Sequence, residues 1–376
     1  MITLKIENKD ITNGIIDDKI ITQWSDIEHL DLSRCTSLTT IPDPLPKSLI
    51  TLYLFGCSSL TALPDPLPAD LKTLDLTYCN SLTTLTGRLP KSLTTLNLYG
   101  CGNLTTLTGR LPKSLEALDL SECSSLTTLP SLPDSLKTLN LSGCYDLETL
   151  PNHLPAGLKT LNLSRCSSLT TPPNPLPADL EALDLSGCSS LTTLPSLPDS
   201  LKTLNLSGCY GLEALPNHLP AGLETLNLYG CDKLETLTNP LPAGLKILNL
   251  YGCYNLETLP SLPKSLLTLD LRGCDNLSFD SIVKIETLKK TNKDNLYFTI
   301  ILPDLFSLKN LSQRILDTIK ETYETYYSSN PDLSQKEPDV NDKENYPTLF
   351  LLNRFITENL RERGKEVSSF SVDFIS

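Results

Sequence analysis

The chain has 376 residues, and its 44 acidic and 31 basic side chains give a formal net charge of −13 at pH 7. A field of this sign repels phosphates, so we expect no nucleic-acid partner. No apolar run approaches the roughly 18 residues of a membrane-spanning helix, and we expect no membrane insertion. Aromatic residues are only 6% of the chain and there is one methionine, so a core must be built mainly from leucine.

The amino-terminal segment, residues 1–25, precedes a repeated region and carries alternating apolar residues at Ile2, Leu4 and Ile6. The opening MITLKIENKD lacks the basic and apolar regions of a classical signal peptide. A repeat array needs a terminal unit that covers the open end of its first coil. We therefore predict an amino-terminal cap over residues 1–25.

Residues 26–277 repeat one unit, which the cysteines mark. The twelve cysteines are 21 or 22 residues apart: Cys35, Cys57, Cys79, Cys101, Cys123, Cys144, Cys166, Cys188, Cys209, Cys231, Cys253 and Cys274. The unit reads LxxLxLxxCxxLxxLPxxLPxx, as in LKTLNLSGCYDLETLPNHLPAG from Leu136 to Gly157. A period of about 20 to 29 residues with this leucine spacing is the leucine-rich-repeat signature, with one short strand per coil.

Each unit combines a strand-like pattern with a proline-rich return. Leu139 and Leu141 are expected in the core, while Thr138, Asn140 and Ser142 face outward. The Leu-Pro pairs of the return disfavour a helix and predict an extended, polyproline-like wall. The predicted fold is an α/β-type solenoid, a leucine-rich-repeat horseshoe of about twelve coils with a concave parallel β-sheet and an extended convex side.

The cysteines allow two functional interpretations, a disulfide framework or metal sites, beside a structural one. A metal site needs paired ligands such as CxxC, whereas each cysteine here stands alone in its coil. Disulfides between adjacent coils would link strands that the sheet already holds together. The pattern favours reduced, buried thiols that act as small apolar residues and weak hydrogen-bond donors.

The carboxy-terminal region, residues 278–376, follows the last cysteine. Phe279 to Lys290 predicts an amphipathic helix that caps the repeats, and Leu296 to Leu302 predicts a buried strand. Further helices are predicted from Leu308 to Tyr327 and from Leu349 to Leu360, separated by a polar linker over 328–344. We expect a small, mainly helical region.

Aromatic residues and one arginine mark candidate binding positions on the outward face of the strands. Most coils have Ser or Thr two residues before the cysteine, but some coils depart from this pattern. The candidate protein-binding residues are Tyr53, Phe55, Tyr99, Tyr229, Tyr251 and Arg272. Exposed aromatics and arginine anchor many interfaces, although tyrosine also has good β propensity. They form two patches separated by five serine-bearing coils.

Residues for catalysis are scarce. Of the three histidines, His153 and His218 lie in identical PNHLPAG segments and are copies of one another. No two carboxylates on the outward face are in adjacent coils, because most intervening coils carry asparagine. No phosphate-binding, nucleophile-elbow or HExxH motif occurs. We therefore expect no enzyme activity, no metal and no cofactor.

The LPxxLPxxLxxLxLxx unit resembles the repeat of bacterial leucine-rich-repeat effectors, which pathogens inject into host cells. Cysteine followed by xxL stands where that family has asparagine followed by xL. No cysteine lies beyond Cys274, so the activity of the effector ubiquitin ligases is not carried over. Glu358, Glu362 and Glu366, with Phe374 near the end, resemble signals read by type IV secretion systems.

This resemblance implies a monomeric effector that binds a host protein or another effector through its concave face. It would pass from the bacterial cytoplasm to the host cytoplasm by a specialised secretion system. Two other functions remain open. Residues 278–376 could hold the activity of an enzyme or adaptor, or the chain could be an extracellular adhesion or structural repeat protein.

Overall fold

The structure is a computed structural model that describes residues 2–22, 24, 26–85, 88–107, 109–237, 240–292 and 299–301. The helices predicted over 308–327 and 349–360, the polar linker and the secretion signal lie outside the described residues. The boundaries predicted at residues 25 and 277 stay predictions.

The described strands are short, and two α-helices and one 3-10 helix accompany them. The first strands and helices are β1 (Thr3–Lys5), the 3-10 helix (Asn8–Asp10), β2 (Ile11–Thr12), β3 (Ile15–Ile16), α1 (Asp18–Ile21), β4 (His29–Asp31), β5 (Thr51–Tyr53), β6 (Thr73–Asp75), β7 (Thr84–Leu85), β8 (Thr95–Asn97) and β9 (Thr106–Leu107). They are followed by β10 (Ala117–Asp119), β11 (Thr138–Asn140), β12 (Thr160–Asn162), β13 (Ala182–Asp184), β14 (Thr203–Asn205), β15 (Thr225–Asn227), β16 (Ile247–Asn249), β17 (Thr268–Asp270), α2 (Phe279–Thr291) and β18 (Thr299–Ile301).

Fourteen of the described strands form one parallel sheet in the order β1-β4-β5-β6-β8-β10-β11-β12-β13-β14-β15-β16-β17-β18. Equivalent positions of successive coils face one another, as Thr138 faces Thr160 and Asn140 faces Asn162. The predicted parallel-sheet solenoid of about twelve turns is confirmed. Its horseshoe curvature stays a prediction.

Leucine and cysteine form one continuous core that extends from Ile6 to Leu288. Within one coil, Leu139, Leu141 and Cys144 are all completely buried. Burial of each leucine contributes about 1.5 to 3 kcal/mol, while ordering each residue costs about 1 to 2 kcal/mol. A single coil cannot offset that cost, so stability depends on stacking.

The return segments are largely irregular, as their prolines predict. A short parallel pair, β7 with β9, forms in two coils that read Leu-Thr-Gly where most read Leu-Pro. Neither of these strands contains proline, which lacks the amide hydrogen that strand pairing uses.

Both ends of the sheet are extended by strands from outside the repeats. β1 pairs with β4, and Ile16 and Trp24 are buried in the common core. At the other end, α2 is found where the sequence predicts it, with Ile285 and Leu288 buried.

The prediction of a buried strand over Leu296 to Leu302 was wrong in one respect. β18 does pair with β17, but Thr299 is exposed and Ile300 and Ile301 are only half-buried. Since β18 is the last strand in the order, it has a described neighbour on one side only. Among the described residues, neither helix has the length and apolarity that crossing a bilayer requires.

Candidate protein-binding face

The sheet face consists of the side chains that point away from the leucine core, from the start of each strand to the cysteine that follows it. In every coil but the second, the residue after the central leucine is Asp or Asn. Its Oδ1 accepts a hydrogen bond from the amide two residues later, at 2.8 Å for Asp184 and Ser186 and 3.2 Å for Asn140 and Ser142. The Asp/Asn row therefore satisfies backbone amides at the strand ends.

A row of charged residues lies just before the strands, on one side of the sheet face. Glu181 is placed between Lys159 and Lys202, whose Nζ atoms lie 2.9 and 2.8 Å from its carboxylate. The hydrogen bonds from Lys202 and then from Lys159 lower the pKa of Glu181 to about 2. Lys137 and Glu116 form a similar contact at 3.3 Å.

The first aromatic cluster contains Phe55, Tyr78 and Tyr99. Phe55 and Tyr78 meet edge to face with centroids 5.9 Å apart, and Tyr78 and Tyr99 do so at 5.0 Å. The Tyr78 hydroxyl donates to the Tyr99 hydroxyl at 3.1 Å. Arg34 extends the cluster, because its Cζ lies 5.9 Å from the Phe55 centroid. Two of the predicted binding residues, Phe55 and Tyr99, therefore belong to one cluster, and Tyr53 lies two residues before Phe55 in β5.

Tyr78 was missed in the sequence, although it joins two of the predicted residues. It lies directly before Cys79 with φ of 56°, and most coils have glycine at that position. A Cβ at Gly100 would lie 2.5 Å from Cε1 of Tyr78 and closer still to its Cδ1, so the ring occupies space that only glycine leaves open. The signal that could have found it is a large residue at a position otherwise reserved for glycine.

Four coils break this glycine pattern, and they alternate with coils that keep it. The residues with positive φ at this position are Arg34, Tyr78, Glu122 and Arg165. Their φ values are 66°, 56°, 58° and 60°, each followed in the next coil by glycine. Such conformations are costly for non-glycine residues and often occur at functional sites.

The second aromatic cluster contains Tyr229, Tyr251 and Arg272. The two tyrosine rings have centroids 5.1 Å apart, and Cζ of Arg272 lies 4.5 Å from the Tyr251 centroid. Arg272 also donates through Nη2 to Asp270 Oδ2 at 2.6 Å and through Nε to Oδ1 at 3.0 Å. The remaining predicted residues thus lie together at the far end of the sheet face.

Two more exposed tyrosines border the second cluster, and sequence reasoning missed them. Tyr210 and Tyr254, each directly after a cysteine, are 54% and 53% exposed. Tyr254 lies beside Gly273, since a Cβ there would be 3.2 Å from its Cε1. The first and second clusters are six strands apart, which corresponds to about 29 Å at the usual strand spacing.

One coil of this solenoid matches a known family model. Residues 135–156 match the model described as Leucine Rich Repeat. This segment is a leucine-rich repeat. The other coils share its cysteine spacing and its strand register. The comparison with curated proteins found no match to this chain.

Several solved structures with leucine-rich repeats are similar to this chain. A leucine-rich repeat protein from Bacteroides ovatus is 20% identical, with a TM-score of 0.47 over 74% of this chain and 71% of that one. YopM, a leucine-rich effector protein from Yersinia pestis, is 25% identical, with a TM-score of 0.33 over 70% and 86%. The functional domain of InlJ from Listeria monocytogenes, which includes a cysteine ladder, is 20% identical, with a TM-score of 0.32 over 74% and 67%.

The cysteines of the repeats are free and buried, as the sequence predicts. Each thiol donates to a main-chain carbonyl of the preceding coil, for example Cys144 to Leu120 at 3.2 Å and Cys57 to Leu32 at 3.1 Å, except that Cys35 donates to Ile6 of the amino-terminal segment. Burial raises the pKa of the Cys35 thiol to about 11 and that of Cys57 to about 12. Thiols with a raised pKa are poor nucleophiles and poor metal ligands.

The part of the chain that the structure describes brings no three metal-ligating side chains together. What its sheet face does offer is two aromatic clusters, each with an arginine against a ring, on a regular hydrogen-bonded sheet. Such groups recognise another surface through ring contacts and charge.

Proposed function

We propose that this protein is a non-enzymatic binding module that holds a protein partner against its sheet face. The observation that carries the proposal is the pair of aromatic clusters at opposite ends of that face. Aromatic and arginine side chains dominate the energetics of many interfaces, because they bury large areas with few rotatable bonds. A partner that spans both clusters would contact the serine-bearing coils between them.

The first cluster is held rigidly before any partner arrives. Tyr78 is wedged between Phe55 and Tyr99, and its ring lies over the glycine of the next coil. Side chains that are already ordered lose little conformational entropy on binding. The unusual backbone conformation of Tyr78 also supports a functional role, since it costs folding stability.

We further propose that the partner is a host protein or another bacterial effector, and that the protein acts as a monomer in the host cytoplasm. The LPxxLP return of the repeats, which resembles that of bacterial effectors, supports this assignment. The free thiols are consistent with a reducing compartment. The protein would act by covering a surface of the partner and so blocking its other contacts.

The experiment compares capture of a partner by the wild-type protein and by variants that adopt residues found in other coils. Phe55→Ser with Tyr99→Ser alters the first cluster, and Tyr229→Ser with Tyr251→Ser alters the second. Serine occupies the same position in five middle coils, so these variants should fold. Tyr145→Ser is the matched control, because Tyr145 is exposed but belongs to neither cluster.

Proteins cross-linked from host-cell lysate and from the producing bacterium would be quantified by mass spectrometry. We expect at least one cluster variant to lose about tenfold or more of the captured partner, while the control keeps it. Because the proposed function is not enzymatic, the partner should be recovered without a new covalent modification. Equal capture by both cluster variants and the wild type would rule out this face as the binding site.

A further inference from the structure

In each described coil the residue after the central leucine is Asp or Asn, with Tyr53 as the one exception. It lies in β5, and the register places it directly between Asp31 of β4 and Asp75 of β6. The side chain is 40% exposed. Neighbouring strands lie about 4.8 Å apart, so an exposed aromatic ring is flanked on both sides by a carboxylate.

Asp75 has an oxygen that is open to a ligand. Its Oδ1 accepts hydrogen bonds from the amide and the hydroxyl of Thr77 at 3.0 and 2.6 Å. No lysine, arginine or histidine of the described residues forms an ion pair with its carboxylate. The second oxygen, Oδ2, is therefore placed to accept a charged donor from outside the chain.

Two cations at this end of the sheet, Lys5 and Arg34, have other contacts. Lys5 reaches Asp31 at 4.0 Å, and its side chain is 65% exposed. An exposed ion pair at that distance is weak and is easily exchanged for another cation. The guanidinium of Arg34 lies against Phe55 instead.

The second aromatic cluster shows how the same combination of groups binds a guanidinium. There Arg272 lies against the Tyr251 ring at 4.5 Å and donates to both carboxylate oxygens of Asp270. Tyr53 with Asp75 presents a ring and a carboxylate on neighbouring strands, but without an arginine of its own. A guanidinium supplied by a partner could make the same two contacts.

We propose that Tyr53, together with Asp75 and Asp31, binds an arginine side chain from a basic segment of the protein partner. The net charge of −13 favours such a partner, because it attracts a basic chain over long range. Asp119 and Asp184 continue the row of negative charge toward the middle of the sheet face. The inference rests on the proposed function and names the chemistry of the partner.

The probe is a short fluorescein-labelled peptide in which arginine alternates with serine, and its binding to the full-length protein is followed by fluorescence anisotropy. A second peptide carries citrulline, which has nearly the shape of arginine without its charge. Tyr53→Asn and Asp75→Asn are the test variants. Asparagine occupies this row in six other coils, so Asp75→Asn keeps the local hydrogen bond to the backbone available and Tyr53→Asn introduces the one that the other coils have.

Tyr145→Ser and Asp199→Asn are the controls, since both residues are exposed and lie outside this site. We expect the arginine peptide to bind, the citrulline peptide to bind at least about tenfold more weakly, and each test variant to weaken binding about three- to tenfold. The controls should stay within about twofold of the wild type.

Two results would overturn this inference. Equal weakening by Asp199→Asn and Asp75→Asn would mean that net charge alone attracts the peptide, and unchanged binding by Tyr53→Asn would remove the ring from the site. The serine variants of the clusters could lose a captured partner while Tyr53→Asn still captures it. In that case the proposed function stands, and the inference that the partner inserts an arginine beside Tyr53 is wrong. If the peptide behaves as expected while the cluster variants capture normally, the proposed function fails instead.

Discussion

The contact between Tyr78 and Gly100 predicts that two chemically identical substitutions in this solenoid have different costs. Gly100 and Gly208 both have φ of 70°, so alanine suffers the same backbone strain at either position. At Gly208 the closest atoms to a new Cβ lie 3.6 Å away, which is an ordinary contact. At Gly100 the new Cβ would collide with the ring of Tyr78.

The size of the difference depends on the ring contacts that Tyr78 would lose. The left-handed conformation costs alanine about 1 to 2 kcal/mol at either position. At Gly100 the ring must also move away from Phe55 and Tyr99, and each edge-to-face contact contributes about 0.5 to 1.5 kcal/mol. We therefore expect Gly100→Ala to lower the free energy of unfolding by about 2 to 5 kcal/mol and Gly208→Ala by about 1 to 2 kcal/mol.

Equilibrium unfolding in urea, followed by far-UV circular dichroism, measures both costs. The decisive step repeats Gly100→Ala in a Tyr78→Gly background, where the ring is absent and the coil has the residue that most coils use. There the substitution should cost only the backbone strain, about 1 to 2 kcal/mol. Equal costs at Gly100 and Gly208, or an unchanged cost in the Tyr78→Gly background, would refute the proposed packing.

Two further predictions concern ionisable groups. The pKa of Glu181 is lowered from its ordinary 4.5 to about 2, so its contribution to stability is present above about pH 4.5 and is lost as the pH falls toward 2. Carbon-13 NMR titration should show this, and Lys202→Gln should bring the pKa back toward 4.5; an ordinary value in the wild type would contradict the bridge. Because burial raises the pKa of the cysteine thiols, none should react with Ellman's reagent at about pH 8 until the chain is unfolded in guanidinium chloride. Rapid labelling of the native protein would contradict their placement.

The regular spacing of the chain accounts for most of the fold. Because a unit of 21 or 22 residues recurs, equivalent positions must stack, and the alternating leucines decide which side of each strand is buried. The strand around Leu139 and the helix before Asn292 follow from such local patterns. The exposure of β18 does not, since it depends on the place of that strand at the end of the sheet.

Only part of the candidate face could be predicted from the repeat pattern. Aromatic residues two positions before the cysteine are visible as departures from Ser or Thr, and this identified Phe55 and Tyr99, which the structure shows to be half-buried. Tyr78 was overlooked because its position belongs to the turn and carries glycine in most coils. The backbone bonds of the Asp/Asn row were likewise not foreseen, because they depend on how the chain bends after each strand.

The sequence by itself determined the repeat, the buried leucines and cysteines, and the positions that neighbour one another across coils. These follow from periodicity, which has the same consequence at every turn. Only the tertiary structure decided which side chains touch: Tyr78 between two rings over Gly100, and Arg272 between Tyr251 and Asp270. Such contacts depend on side-chain direction and on left-handed backbone at single residues, and a linear pattern encodes neither.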